Sequence, residues 1–123
     1  MPEQSDLRRL AEKEIKRLIE SLPDELRLKL EDIAVILEDK PDKNLAADGI
    51  DEDCLGIYQG ASLMDDDQGG LLPRQIILFI ANINDESQES GRSFKEELRR
   101  TFLHELGHYL GLEENELVLR DID

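Results

Sequence analysis

The sequence predicts an α+β fold, in which helices flank a small number of β-strands. Two amphipathic stretches, one in each half of the chain, have the 3.6-residue apolar period of α-helices. Between them lie compact apolar runs that are bounded by turn residues, as is typical of short strands. Since 123 residues is about the size of one domain, we expect residues 1–123 to share a single core.

Composition limits the partners that this domain can have. Apolar residues make up 39% and aromatic residues 4% of the chain, so the core must consist mainly of Leu, Ile and Val. The formal net charge is −15, whereas binding to a phosphate backbone needs a clustered excess of Lys and Arg. We therefore expect no nucleic acid and no membrane partner, and we interpret the acidity as a contribution to solubility.

Cysteine usage and hydropathy predict a cytoplasmic protein. The one cysteine, Cys54, cannot form an internal disulfide, and no segment has the roughly 20 apolar residues of a membrane span. Residues 1–10 lack the apolar segment of a signal peptide. We interpret Cys54 as a small buried hydrophobe rather than a nucleophile or metal ligand, because no third histidine is available to activate it.

The first third of the chain is predicted to form two helices and then a strand. The first apolar stripe consists of Leu7, Leu10, Ala11, Ile15, Leu18, Ile19 and Leu22. Pro23 suits the first position of a second helix, which Asp24 and Glu25 favour and which ends near Leu30. Residues 33–37 predict a strand that is covered on both faces, with a helical continuation as the alternative.

The middle of the chain alternates between predicted loops and one short strand. Residues 39–53 are interpreted as a loop because they contain Pro, Gly, Asn and Asp. Residues 55–60 predict a strand, in which Gly56 and Gly60 indicate a bend or a close backbone approach. The three aspartates at 65–67 are assigned to a solvated loop, because their spacing is not that of a calcium-binding EF-hand.

The second half is predicted to contain a strand, a turn and a long helix. Residues 75–81 form the strongest strand of the sequence, and the polar residues 85–92 are interpreted as a turn. Ser93 and Glu96 have the S-x-x-E spacing of a capping box, which predicts a helix from about Phe94.

That second long helix contains both histidines of the chain, in the run His104-Glu-Leu-Gly-His108. Imidazoles four residues apart lie on one helix face, within reach of a single ion. At 100° per residue, a separate apolar stripe is formed by Leu98, Phe102, Leu106 and Tyr109. The histidines are therefore predicted to face away from the core, which argues against a purely structural role.

A third metal ligand is predicted shortly after the histidines. Zinc takes a tetrahedral set of ligands, and a catalytic site leaves one position to water. Gly111 can end the helix in a left-handed conformation, which returns the chain and brings Glu114 toward the ion. A glutamate from a separate downstream helix would need a longer chain. Glu113 and Glu116 are the alternatives, since acids also commonly occupy the first turn of a helix.

The residues His104, Glu105, His108, Gly111 and Glu114 resemble the motif of the minimal zincins, which are small bacterial zincin-like metallopeptidases. The motif of this family is HExxHxxG, with Asp or Glu three positions further on. The resemblance implies a compact α+β fold with N-terminal helices, a small mixed sheet, the motif helix and a short final helix. It also implies a zinc site, but it does not identify a substrate.

The resemblance covers most of the chain outside its N-terminal helix. It begins at about Ile33, includes the strand segments at 55–60 and 72–79, and is weakest over residues 39–53.

These observations lead to the hypothesis of a zinc-dependent metallopeptidase that hydrolyses peptide bonds. Its zinc ligands would be His104, His108 and Glu114, and Glu105 would be the general base that takes a proton from the attacking water. The alternative is a catalytically inactive zincin-like domain that binds metal or a protein partner. The presence of Glu105 favours the enzyme, because zinc binding alone needs no general base. A structural protein without metal is the third possibility.

The substrate of such an enzyme is expected to be a peptide or protein. An extended peptide can add its backbone to an edge strand, and residues 75–81 are the predicted edge strand. An oxyanion donor is also expected beside the metal, and the sequence does not distinguish among Tyr58, Tyr109 and Arg120.

Overall fold

The computed structural model describes residues 4–60 and 74–110. The elements in these ranges are α1 (Gln4–Ser21), α2 (Asp24–Lys29), a 3₁₀ turn (Leu30–Asp32), β1 (Ala34–Glu38), α3 (Lys43–Ala47), β2 (Gly56–Gln59), β3 (Gln75–Phe79), α4 (Ile80–Ser90) and α5 (Phe94–Leu110). They confirm the predicted α+β class. The aspartates at 65–67 and the short final helix lie outside the described residues.

The three described strands form a mixed sheet in the order β1-β3-β2. β1 runs parallel to β3, with Val35 opposite Ile76, and β2 runs antiparallel to β3, with Tyr58 opposite Ile76. The prediction that residues 75–81 form an edge strand is wrong, because β3 is the central strand and has neighbours on both sides. Its continuous apolar sequence reflects this burial.

The outer strand β1 is less buried than its sequence predicts. Val35, Ile36 and Leu37 are each only half-buried, so the expectation that residues 33–37 are covered on both faces is wrong. Four of the five residues of β3 are buried instead. A short apolar run therefore identified the strand correctly but not its place in the sheet.

The N-terminal helix packs on the core with the predicted stripe. Its buried residues include Leu7, Ala11, Ile15 and Leu18, and Leu22 is buried directly after its end. This face of α1 contacts α4 and α5, so the N-terminal helix supports the C-terminal pair. The second helix also forms as predicted, although Pro23 lies immediately before its first residue.

The segment after β3 is a helix, and the prediction of a polar turn at 85–92 is wrong. The backbone passes directly from Phe79 of β3 into the 11 residues of α4. The buried face of α4 includes Asn82, whose side-chain amide donates to the backbone carbonyls of Glu52 at 2.7 Å and Cys54 at 2.8 Å. A polar residue thus fills a core position of α4, which hides its helical period from the sequence.

The predicted loop at 39–53 contains the short helix α3. Its N-cap is Asp42, whose carboxylate accepts a hydrogen bond from the backbone N–H of Leu45 at 2.9 Å. No residue of α3 is buried, so it leaves no apolar stripe in the sequence.

The long helix α5 begins as the capping box predicts. The backbone N–H of Glu96 donates to the hydroxyl of Ser93 at 3.1 Å, and the first helical residue is Phe94. Among the described residues, no helix is both long and apolar enough to cross a membrane.

Gly56 allows β2 to approach α5 closely. A β-carbon at this position would lie 2.9 Å from the Cγ2 methyl of Thr101, 3.1 Å from the carbonyl oxygen of Ile77 and 3.2 Å from Leu78. Since non-bonded carbon atoms prefer about 3.5–4.0 Å, a larger residue must push the strand and the helix apart. The prediction of a close backbone approach at this glycine is confirmed.

We therefore expect Gly56→Ala to lower the free energy of unfolding by about 1–3 kcal/mol, as overpacking typically does. Thr101→Ser removes the nearest methyl group, so the double variant should regain part of the loss. Urea unfolding of the two single variants and the double variant checks this. Independent, additive effects would contradict a direct contact between the two positions.

Candidate metal centre

The helix α5 presents two different faces. Leu98, Phe102, Leu106 and Tyr109 are completely buried, whereas His104 and His108 are exposed. This is the division that the apolar stripe predicts. The helix is therefore held in place by its core face, and the imidazoles are left on the surface.

The two imidazoles lie close together. The Nε2 atoms of His104 and His108 are 3.2 Å apart, and the ring centroids are 4.7 Å apart in an edge-to-face arrangement. Two nitrogens bound to one tetrahedral zinc at about 2.0–2.1 Å would be about 3.3–3.4 Å apart. The spacing of the donor atoms thus fits a shared zinc ion.

Glu105 joins the histidines in one cluster. The possible ligand atoms of His104, Glu105 and His108 all lie within 4.8 Å of one another, which makes this a candidate metal group among the described residues. Unlike the histidines, Glu105 is only 8% exposed. The three side chains therefore combine two accessible nitrogens with one largely desolvated carboxyl group.

The environment of Glu105 disfavours its charged form. Burial raises the pKa of this carboxyl group from 4.5 to about 7. Within the described ranges, no side chain forms an ion pair or a hydrogen bond with Glu105 that would offset this effect. The contrast is Glu14 of α1, which is also buried but is bound by Arg17 at 2.7 Å, so that its pKa is lowered.

A cleft of about 300 Å³ opens beside His104 and Glu105. Its walls include Gly56 at the start of β2, and Arg100 and Thr101 one turn before the histidines on α5. A larger groove of about 490 Å³ lies between α1 and β1, and the histidine cluster does not line it. The smaller cleft, and not the larger groove, is therefore the cavity that adjoins the histidine cluster.

The walls of this cleft were not predicted from the sequence, although one signal for them exists. Arg100 and Thr101 precede His104 by four and three residues, which places them on the histidine face of the helix. The contribution of Gly56 depends on how β2 packs on α5, and no local sequence signal predicts that contact.

Tyr109 is part of the packing beneath the site. Its hydroxyl donates to the backbone carbonyl of Lys29 at 2.6 Å, at the end of α2, and its ring contacts the ring of Tyr58 at a centroid distance of 5.7 Å. The Tyr109 hydroxyl thus already has a backbone partner. The third predicted oxyanion donor, Arg120, lies outside the described residues.

Cys54 lies near the site but is not a member of the cluster. Its side chain is half-buried, and its thiol lies 3.3 Å from the carbonyl oxygen of Gly56. Burial raises the pKa of the Cys54 thiol, and the nearby Glu105 adds to this effect. Both influences keep the thiol protonated, which is unfavourable for a nucleophile or a metal ligand.

The predicted helix end and third ligand lie outside the described residues. Gly111, Glu114 and the alternatives Glu113 and Glu116 all follow Leu110, the last residue of α5 in the described range. Their roles stay predictions from the sequence. The described part of the site is the pair of histidines with Glu105.

Comparison with known proteins agrees with this geometry. No curated protein sequence matches the chain significantly. A family model described as zincin-like metallopeptidase matches residues 30–122, which include β1 to β3, α5 and the histidine cluster. The family implies a metal centre, typically of zinc. With three quarters of its length matched, the chain belongs to the zincin-like metallopeptidase family.

Proposed function

We propose that this protein is a zinc-dependent metallopeptidase whose zinc ligands are His104, His108 and Glu114. The observation that carries the proposal is the 3.2 Å separation of the two Nε2 atoms on the exposed face of α5, with Glu105 beside them. Membership in the zincin-like metallopeptidase family supports it. Glu114 enters from its spacing after the histidines in the sequence.

A bound zinc ion would supply Lewis acidity, which polarises a peptide carbonyl and makes water a nucleophile near neutral pH. The protein contributes Glu105, whose carboxylate accepts a proton from the attacking water. Glu105 then donates that proton to the amine nitrogen of the leaving group. Because no described side chain holds the carboxylate, it is available to transfer protons within the cluster.

The sheet offers a surface on which an extended peptide can be aligned. Since β3 is central, this surface must belong to another strand. β2 lies at one side of the described sheet and packs on α5 beside the cleft. We propose that a substrate adds its backbone to β2, which would bring a peptide carbonyl toward His104 and Glu105.

Zinc content is the direct test of the metal centre. We expect wild-type protein that is purified without added metal and then dialysed against zinc to hold one zinc ion per chain. His104→Ala and His108→Ala should each reduce the bound zinc to a small fraction, because each removes one nitrogen ligand. Atomic absorption spectroscopy on gel-filtered protein gives the stoichiometry.

The matched control is Lys95→Ala, an exposed position in the first turns of the same helix. It should hold as much zinc as the wild type. Equal zinc in the wild type and the histidine variants, or negligible zinc in all of them, would refute the assignment of the ligands.

A further inference from the structure

We propose that Arg100 binds a carboxylate group of the substrate, so that the protein selects acidic peptides. This inference rests on the proposed function, because it assigns a substrate class to the same site.

Arg100 lies in the right place to contact a bound peptide. It precedes His104 by one helical turn, and both side chains line the cleft of about 300 Å³ beside Glu105. Neighbours on one helix face are about 5–6 Å apart at their β-carbons, and an extended peptide advances about 3.3 Å per residue. The guanidinium group can therefore reach a side chain one or two residues from a peptide bond at the histidines.

Arg100 is also available for a ligand. It is exposed, and within residues 4–60 and 74–110 its side chain forms no ion pair or hydrogen bond. The other arginine of the cleft is engaged, since Arg92 donates to the buried carboxylate of Glu97 at 2.9 Å. The serine hydroxyl of Ser90 also donates to Glu97 at 3.2 Å, so this carboxylate is already satisfied by its neighbours.

The net charge of the whole protein is opposite to the charge that a preference for acidic peptides requires. With a net charge of −15, non-specific attraction would favour basic peptides. A preference for acidic peptides must therefore come from a local cation. Arginine suits this role because its planar guanidinium group can donate two parallel hydrogen bonds to one carboxylate.

Glu86 of α4 lines the same cleft and would favour the opposite charge. We favour Arg100 because it lies on the same helix as the histidines and one turn from His104, whereas Glu86 belongs to the neighbouring helix. A basic preference that depends on Glu86 is thus the competing result.

Affinity selection from a random peptide library tests the proposal without relying on turnover. The bait is the zinc-loaded Glu105→Gln variant, which keeps the proposed ligands but lacks the proposed base. We expect it to enrich peptides with Asp or Glu at one position. Adding Arg100→Gln should reduce this enrichment about tenfold, since it removes hydrogen bonds to a charged group. Arg100→Glu should favour basic peptides instead.

Two further comparisons make the result specific. Lys95→Gln in the same background removes a positive charge on the side of α5 that is near Glu14, and it should leave the selection unchanged. A library with amidated C-termini distinguishes the two sources of the carboxylate: enrichment that survives amidation comes from an acidic side chain, and enrichment that disappears comes from the chain terminus. Only an acidic side chain as the source supports the proposal, and enrichment that depends wholly on the chain terminus would refute the selection of acidic peptides. Thermal melting and zinc content show whether each variant is folded and loaded.

The outcomes separate this inference from the proposed function. Acidic enrichment that needs Arg100, in a protein whose wild type cleaves no peptide, would support the recognition site and refute the hydrolysis. Cleavage by the wild type together with enrichment that Arg100→Gln leaves intact would refute the role of Arg100. The absence of any acidic enrichment, or a basic enrichment that is lost in Glu86→Gln, would also refute it.

Discussion

We expect Glu105→Gln to reduce peptide cleavage by about 10²–10⁴-fold, which is the usual contribution of a general acid–base. Glutamine has nearly the same shape but cannot accept and return a proton at neutral pH. Its effect should therefore appear in the chemical step and not in zinc content. Cleavage of a peptide library by zinc-loaded wild type and variant, followed by mass spectrometry, measures this difference.

The control for this experiment is Glu96→Gln, which removes an exposed carboxylate from the same helix. It should cleave at the wild-type rate. If wild type and Glu105→Gln cleave equally, Glu105 is not the base. If neither protein cleaves any peptide while both hold zinc, this protein is the alternative that was considered above, a zincin-like domain that binds metal but is catalytically inactive.

The same substitution should also stabilise the zinc-free protein at alkaline pH. Because burial raises the pKa of Glu105 from 4.5 to about 7, the folded state binds this proton more tightly than the unfolded state. The protonated Glu105 therefore contributes fully to the stability of the folded state below pH 4.5, and this contribution is lost as the pH rises through 7. A tenfold change in a protonation equilibrium corresponds to about 1.4 kcal/mol, so the loss above pH 7 is about 3 kcal/mol.

We therefore expect Glu105→Gln to be more stable than the wild type by up to about 3 kcal/mol at pH 8 and similar to it near pH 4.5. Urea unfolding in the presence of a chelator, at several pH values, tests this expectation. A constant difference between the two proteins across this range would contradict the raised pKa.

Glu14 supplies a control, because its pKa is shifted in the opposite direction to that of Glu105. Its hydrogen bonds with Arg17 lower its pKa, so its stabilising effect is present above pH 4.5 and is lost as the pH falls through its folded pKa. Glu14→Gln should therefore destabilise the protein at pH 8, where Glu105→Gln stabilises it. The pH dependence of stability would then distinguish the two buried glutamates, because Arg17 binds Glu14 whereas no described arginine binds Glu105.

The sequence predicted the elements that depend on local chemistry. The start of α5 follows from Ser93 and Glu96, because a capping box is a contact between residues three positions apart. The exposure of His104 and His108 follows from the helical period and from the apolar residues opposite them. The family resemblance added the mixed sheet, which the parallel β1 and antiparallel β2 confirm.

The incorrect predictions concern features that depend on distant residues. Residues 75–81 identified a strand, but its central position depends on pairing with both β1 and β2. The helix α4 was missed because Asn82 occupies a buried position, where its amide binds carbonyl groups about 30 residues earlier in the chain. The cleft was missed for the same reason, since Gly56 contributes to it only through contact with α5.

The division of α5 into a buried apolar face and an exposed histidine face has a consequence for the order of events in the cell. Zinc fingers need their metal to fold, because the metal replaces a missing core. Here the completely buried side chains Leu98, Phe102, Leu106 and Tyr109 belong to a hydrophobic core that packs α5 against the rest of the protein. We therefore expect the chain to fold before it binds the proposed zinc ion, so that the proposed activity would follow the supply of zinc while the abundance of the protein would not.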